Sequence, residues 1–355
     1  MPGTKREVAP GVFWLRMGLP FALDHINLWL LEDAVRGDGG TVRRGWTVID
    51  CGISSDATRA AWETLFAGEL DGLPILRVLV THYHPDHVGL ADWLCQRWNA
   101  PLWMTTGEYA FARIMSGLPG VSIHAAVPHF MRHGVCDQEL IAKLRGRKDE
   151  YQLLVPSVPP SYRRIADGER ITIGGREWRV ITGFGHSPEH ASLYCPALRV
   201  LLSGDMVLPR ISTNIAVNAV EPESNPLQLY LDSLVRFREV PADVLVLPSH
   251  GKPFHGLHTR IGQLQQHHAA RLAEVEEACA APCTAADIVP IMFRRPLDAH
   301  QISFALGEAL AHLHKLWFDG ILERQIGTDG VVRFALRARQ GKTPAAAGQP
   351  LEVTD

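Results

Sequence analysis

The first part of the chain alternates short apolar strands with amphipathic helices. Residues 57–70 place apolar side chains at helical spacing behind Ser54, Ser55 and Asp56, a segment that can cap a helix. Residues 75–80 form a nearly continuous apolar run, as expected for a central strand that is buried on both faces. Three earlier segments have the alternation of apolar and polar residues that is typical of strands: 12–17, 26–32 and 46–50.

After two further predicted helices and a short strand, the regular spacing of apolar and polar residues ends at about residue 116. Between residues 116 and 164 only one amphipathic helix is predicted, near 136–146. An irregular segment of this length in a compact chain is usually functional, so we interpret 116–164 as a lid-like insertion over a pocket. A surface excursion without a role is the alternative.

The last third of the chain changes from strands to helices. The sequence after the insertion predicts four strands, a helix and a buried strand that ends at residue 248. Three helical segments follow from about residue 258, and a hairpin-like segment covers 321–336. Helices closed by a two-stranded ribbon are the pattern of a winged helix. The tail, 339–355, has the composition of a disordered segment.

Composition and charge narrow the classes of function. In 355 residues, 46% are hydrophobic, 21% are charged and no apolar run approaches the roughly 18 residues of a membrane span. The net charge is -3 and the basic residues are scattered, which argues against a nucleic-acid partner. No secretion signal is evident, and the six cysteines contain no CxxC pair. These features predict a cytoplasmic protein with reduced thiols, and the spacing of Cys279 and Cys283 indicates packing or chance.

The chemistry is concentrated directly behind the apolar run at 75–80. Since the side chains of a strand alternate, His82 and His84 point to one side, and the following turn can bring Asp86 and His87 round to face them. Buried together without a cation, these groups would lose hydration and gain little. A divalent metal removes that objection, because imidazole nitrogen and carboxylate oxygen are ligands of zinc.

Three further candidates follow the ends of other predicted strands: His186, Asp205 and His250. Four strand ends converging on one rim can supply seven ligands, which suffices for two metal ions. His129 and Tyr162 could line the substrate pocket from the insertion. The remaining histidines are interpreted as surface or packed residues, among them His25, His124, His133, His267, His268, His312 and His314.

The motifs THYHPDH (81–87), GHSPEH (185–190), SGD (203–205) and PSHG (248–251) resemble those of the metallo-β-lactamase superfamily in their order and separations. The resemblance covers about residues 8–255. It implies a four-layer αββα sandwich, an α/β fold, that holds one or two metals. His82, His84 and His186 would then bind one metal, Asp86, His87 and His250 the other, and Asp205 would bridge them, with His190 behind the ligands.

The C-terminal segment is similar to the small winged-helix domain that follows this fold in a group of lactamase-like hydrolases. We therefore expect a catalytic domain over 1–257 that includes the insertion, a winged-helix-like domain over 258–338 and the tail.

The expected activity is hydrolysis by a hydroxide held between two divalent ions, zinc or alternatively manganese or iron. Asp86 and Asp205 are the candidate catalytic residues, and Asp86 would orient the hydroxide. The preferred substrate class is an acyl thioester of coenzyme A or of a carrier protein. The alternatives are a lactone, nucleic acid held by the winged helix and cut at its phosphodiesters, and an assembly module in which the winged helix forms a homodimer contact. The segment after Asp205 lacks a tyrosine typical of lactone hydrolases, and the charge argues against nucleic acid.

Overall fold

The computed structural model describes residues 3–21, 23–117, 123–146 and 150–338. The strands in this part are β1 (Arg6–Ala9), β2 (Val12–Gly18), β3 (His25–Arg36), β4 (Val42–Ile49), β5 (Ile75–Leu79), β6 (Leu102–Met104), β7 (Arg163–Arg164), β8 (Arg170–Ile173), β9 (Arg176–Gly183), β10 (His190–Cys195), β11 (Val200–Gly204), β12 (Leu245–Pro248), β13 (Leu322–Ile326) and β14 (Val332–Leu336). The α-helices are α1 (Asp56–Gly68), α2 (Pro85–Val88), α3 (Ala91–Trp98), α4 (Thr106–Gly117), α5 (Ile123–Arg132), α6 (Gln138–Gly146), α7 (Glu150–Leu154), α8 (Pro226–Arg236), α9 (Leu257–Ala278), α10 (Ala285–Met292) and α11 (Ala299–Phe318).

Two sheets pack face to face in the centre of the molecule. The first has the strand order β1-β2-β3-β4-β5-β6-β7, and the second has the order β12-β11-β10-β9-β8. Their facing sides share one core, in which Trp29 and Leu79 of the first sheet are buried with Val180, Leu193 and Leu247 of the second. Apolar side chains on the inner face of each sheet therefore hold the two central layers together.

Helices cover the outer face of each sheet. On the first sheet, Trp62 of α1 and Leu94 of α3 are buried in one cluster with Val48 and Val78. On the second sheet, α8 and the C-terminal helices α9, α10 and α11 contribute to a cluster that includes Val246. The layer order is αββα, which confirms the predicted fold class.

Parallel pairing brings the ends of the chemically important strands to one edge. β4 and β5 run parallel in the first sheet, as do β11 and β12 in the second. All five residues of β5 are buried, as its continuous apolar sequence predicted. The segments that leave these strands therefore emerge close together, and this edge carries the candidate site.

The insertion is more regular than the sequence indicated. The predicted helix near 136–146 corresponds to α6, but α5 and α7 were not foreseen. Pro128 lies inside α5 and hides its helical pattern, whereas Val127 and Phe130 of the same helix are buried against the C-terminal helices. Tertiary packing thus overrides the local helix-breaking signal.

The C-terminal part consists of α9, α10 and α11 followed by the β13–β14 ribbon, as expected from the sequence. The name winged helix and the predicted domain boundaries stay predictions, and the tail 339–355 lies outside the described residues. Cys279 and Cys283 are buried here, with their sulfur atoms 3.2 Å apart. None of the described helices is both long and apolar enough to cross a membrane.

Candidate metal centre

Seven side chains from four strand ends meet at the edge described above. The candidate ligand atoms of one group all lie within 4.8 Å of one another, and so do those of a second group. The first group contains His82, His84, His186 and Asp205, and the second contains Asp86, His87 and His250. The structure therefore brings together every ligand that the sequence predicted.

Asp205 lies between the two groups. Its Oδ2 atom is 3.5 Å from Nε2 of His186 in the first group. The same oxygen is 3.5 Å from Nε2 of His250 and 3.7 Å from Nε2 of His87 in the second. This is the position that a bridging carboxylate requires.

Most of the imidazoles are fixed by the nitrogen that faces away from the centre. This leaves Nε2 of each of these rings directed inward, as in metal sites whose ligands are oriented by outer hydrogen bonds. The outer contacts are from His87 Nδ1 to Asp50 Oδ2 (2.8 Å), from His250 Nδ1 to the His25 carbonyl (2.9 Å), from His186 Nδ1 to the Asn214 carbonyl (2.8 Å) and from His82 Nδ1 to Thr81 Oγ1 (3.0 Å).

The inward atoms have the chemistry of metal ligands. Nε2 of His82 is 3.2 Å from Nε2 of His186 and 2.9 Å from Nδ1 of His84, so three ring nitrogens converge on one point. Nε2 of His87 and Oδ1 of Asp205 are buried without a hydrogen-bond partner. Buried polar atoms are rarely left unpaired, and nitrogen and carboxylate oxygen suit divalent transition metals. The residues present therefore fit a dinuclear metal site.

The charges in the site reinforce this conclusion. Burial raises the pKa of Asp86, but His87 and His250 outweigh it and bring the pKa to about 2. Burial lowers the pKa of His250, yet Asp205 and Asp86 raise it to about 10. Burial, and after it the neighbouring His186, lowers the pKa of His84 to about 3. The two carboxylates thus create a field that favours positive charge between them.

Asp50 is a functional residue that the sequence analysis missed. Besides contacting His87, its carboxylate accepts hydrogen bonds from the Thr81 amide at 2.8 Å and from the Thr81 hydroxyl. Asp50 follows β4 and has a φ of 63°, in the left-handed region that asparagine and aspartate adopt more readily than other side chains. A lone aspartate after a strand gave no signal of this role.

Glu108 is a second missed residue, and it joins two ligand-bearing loops. Its fully buried carboxylate accepts hydrogen bonds from the Tyr83 amide (2.8 Å), the Ser187 hydroxyl (2.6 Å) and the Glu189 amide (2.6 Å). Burial raises the pKa of Glu108 to about 7, although these three donors favour its ionised form. The start of α4 therefore clamps the loop of His84 to the loop of His186.

His190 lies directly behind the ligands. The backbone amide of Asp205 donates to Nε2 of His190 at 3.1 Å, and the ring centres of His190 and His82 are 4.9 Å apart. A side chain on Gly204 would collide with the His190 ring, so glycine is needed at that position. His190 supports the backbone at the proposed bridging residue.

The predicted pocket-lining residues separate into different environments. Tyr162 stacks on Tyr109 and donates to Thr106, while His129 packs against His133 in the insertion. The apolar residues of the insertion behave likewise, since Phe130 belongs to the core and Leu153 is 59% exposed. The insertion does reach the site through Tyr151, whose hydroxyl donates to the carbonyl of Tyr83 at 2.6 Å.

Known proteins match both parts of the chain. Residues 27–250 match the metallo-beta-lactamase superfamily, and residues 272–337 match the metallo-beta-lactamase-like C-terminal domain. The chain is 59% identical to a beta-lactamase domain protein of Burkholderia ambifaria, whose crystal structure superposes with a TM-score of 0.88 and 95% coverage of both chains. It is 27% identical to the probable metallo-hydrolase YqjP of Bacillus subtilis over 254 residues, 68% of this chain and 72% of that one. A stretch of 95 residues, 27% of this chain and 34% of the other, is 27% identical to a hydroxyacylglutathione hydrolase of Idiomarina loihiensis.

Proposed function

The chain belongs to the metallo-beta-lactamase superfamily, and from this membership we propose that it is a dinuclear, zinc-dependent thioester hydrolase. The observation that carries the proposal is the convergence of two ligand groups on Asp205, with the outer nitrogens of the imidazoles already anchored. A preorganised, open set of nitrogen and oxygen ligands is typical of catalytic rather than purely structural metal sites.

His82, His84 and His186 would hold one ion, Asp86, His87 and His250 the other, and Asp205 would contact both. When bound, such ions lower the pKa of water toward about 7 and polarise an acyl oxygen.

The residues of the chain would orient the reactants. Asp86 contacts His87 and His250 through Oδ2, and its carboxylate would also accept a hydrogen bond from the attacking water. Ser187, the serine next to a ligand, donates its hydroxyl hydrogen to Glu108 and therefore acts as a positioning residue. The proposed reaction needs no serine or cysteine nucleophile.

A thioester substrate is supported by the similarity to a hydroxyacylglutathione hydrolase, since an acyl-glutathione is a thioester. That similarity covers 27% of this chain, so the bond cleaved has to be tested directly.

The test is a substrate panel assayed on protein loaded with zinc, manganese or iron. The panel contains acetyl- and phenylacetyl-coenzyme A, an acyl-homoserine lactone, a β-lactam and bis(p-nitrophenyl) phosphate. We expect turnover of thioesters to exceed that of the other classes. Efficient cleavage of the phosphodiester together with inert thioesters would contradict the proposal and favour nucleic-acid processing.

A further inference from the structure

A cavity of about 530 Å³ separates the turn between β2 and β3 from the beginning of α11. Its volume falls in the range of about 300–1,000 Å³ that is typical of small-molecule sites. The apolar part of its wall comes from three segments, namely the turn, the loop before α11 and α11 itself. These residues are Pro20, Phe21, Leu23, Phe293, Leu297, Phe304 and Ala305.

Large apolar side chains are exposed on opposite walls of this aromatic cavity. Phe21 and Leu23 of the turn are each 36% exposed, and Phe304 of α11 is 47% exposed. The ring of His300 joins them, because it stacks on Phe21 at 5.5 Å with 5° between the ring planes and lies 5.0 Å from the ring of Phe304. Aromatic groups that face a cavity rather than the core are typical of binding sites.

The first wall of the cavity is connected to the candidate metal centre. The turn that carries Phe21 and Leu23 leads directly into His25. The carbonyl of His25 accepts a hydrogen bond from Nδ1 of His250 (2.9 Å), and Nε2 of His25 accepts one from the Gly251 amide (3.0 Å). This wall is therefore fixed to a ligand of the second group.

The opposite wall is connected to the first group. Gly307, three residues after Phe304, accepts a hydrogen bond from the Val217 amide at 3.0 Å. The segment that leads to Val217 also contains Asn214, whose carbonyl accepts from Nδ1 of His186 at 2.8 Å. The cavity thus lies between two segments that each contact a candidate ligand imidazole through a backbone carbonyl.

The polar side chains of the cavity wall favour an uncharged occupant. Asp298 caps α11 by accepting from the amides of His300 and Gln301, and Arg295 donates to Gln301. These groups are engaged with one another within the wall. Glu308 adds a carboxyl group, which disfavours a second negative charge on the occupant.

We propose that the aromatic cavity receives the acyl group of the substrate and selects aromatic or branched apolar acyl groups over acetyl. This inference rests on the proposed function and extends it, because it names the class of acyl group and the residues that recognise it. Phe21 and Phe304 are the specificity-determining residues.

The experiment uses full-length protein and two readouts. Binding of the uncharged 4-phenylbutyramide is measured by calorimetry, with acetamide as the comparison ligand, and kcat/KM is measured for phenylacetyl- and acetyl-coenzyme A. The variants are Phe21→Ala and Phe304→Ala on opposite walls, and Phe304→Trp to narrow the cavity. Phe318→Ala is the matched control, because Phe318 is a 51% exposed phenylalanine on the same helix that does not line the cavity.

We expect each alanine variant to weaken 4-phenylbutyramide binding about 10-fold and to lower the ratio of kcat/KM for phenylacetyl- over acetyl-coenzyme A by a similar factor, with Phe318→Ala unchanged. Phe304→Trp should shift the preference toward acetyl. Unchanged binding in both alanine variants, or no binding to the wild type, would overturn the assignment of the cavity. If 4-phenylbutyramide binds as expected but no thioester is cleaved, the assignment of the cavity is kept and the proposed thioester function fails.

Discussion

Buried histidines occur both at the metal centre and among the C-terminal helices, and the two regions differ in the groups that surround the imidazoles. At the centre, His87 and His250 lie within 3.4–3.7 Å of Asp86 and Asp205 oxygens. In the helical region the rings contact other rings and backbone carbonyls. Its members are His129 of α5, His133 in the turn after α5, His268 of α9, and His312 and His314 of α11.

For His87 and His250, this difference reverses the direction of the pKa shift. Burial lowers the pKa of His87, but Asp50, Asp86 and Asp205 raise it well above its ordinary value. No carboxylate lies within hydrogen-bond distance of the five helical histidines in the part of the chain that the structure describes. Burial lowers the pKa of His312 to about 4, and the same cause dominates in the other four. A density of histidines therefore does not identify a metal site, whereas carboxylates that converge on their free nitrogens do.

The largest expected effect comes from removing the carboxylate that both ligand groups share. Asp205→Ala should lower kcat/KM by at least about 100-fold, because outer hydrogen-bond partners alone are worth 10–100-fold and Asp205 faces both groups directly. It should also remove one metal equivalent, measured by elemental analysis of the purified protein. Asp232→Ala, which changes an exposed aspartate of α8, is the control. Full turnover with both ions retained would refute the bridging role.

A smaller effect is expected at Glu108, which supports the centre without belonging to it. In Glu108→Gln, the NH2 of the side chain replaces one of the two accepting oxygens. It would face either the backbone N–H of Tyr83 or the donors of Ser187 and Glu189, so at least one buried donor loses its acceptor. We expect the affinity for Co²⁺ to fall about 10–100-fold and the visible absorption of the bound Co²⁺ to change. Glu63→Gln is a surface control.

The Co²⁺ spectrum separates positioning from general stability. A variant that is only less stable would bind Co²⁺ with an unchanged spectrum once it is folded. An unchanged spectrum and affinity in Glu108→Gln would show that the clamp between the two loops does not position the ligands.

The sequence predicted the parts of the site that depend on local pattern. The apolar run at 75–80 located β5, and the ends of predicted strands located His186, Asp205 and His250, because parallel strands deliver their following loops to one edge. A helix cap within residues 54–56 was also predicted, and Ser55 provides it by accepting from the Thr58 amide at 3.1 Å.

The missed parts depend on contacts between distant segments. Glu108 lies 79 residues from Ser187, and Asp50 lies 37 residues from His87. The partner of His186 is a backbone carbonyl, which any residue at position 214 could supply. No spacing rule connects such pairs, because the partnership exists only after the sheets have packed. The aromatic cavity was missed for the same reason, as its walls come from opposite ends of the chain.

The smallest expected effect concerns the buried histidines among the C-terminal helices, which have no carboxylate partner among the described residues, in contrast to His87 and His250 of the metal centre. His312 is fully buried, donates Nδ1–H to the Glu308 carbonyl at 2.8 Å and has Nε2 3.3 Å from Nδ1 of His268. Its pKa is about 4 in the folded protein, against about 6.5 in an unfolded chain. Between these values the unfolded state binds more protons, so the free energy of unfolding is highest above about pH 6.5 and falls as the pH drops toward 4.

His312→Gln removes this titration, and its effect on the pH dependence distinguishes it from a loss of packing. We expect the variant to lose about 1–2 kcal/mol at pH 7.5, where a buried hydrogen bond is weakened. Between pH 6 and 5 the difference from wild type should shrink by up to about 1.4 kcal/mol per pH unit, since one group fewer must take up a proton on unfolding. Urea unfolding across this range measures both quantities, with the exposed His255→Gln as the control for the substitution itself. A difference that stays constant with pH would mean that His312 is not held neutral by its burial, and the contrast with the carboxylate-lined histidines of the metal centre would lose its physical basis.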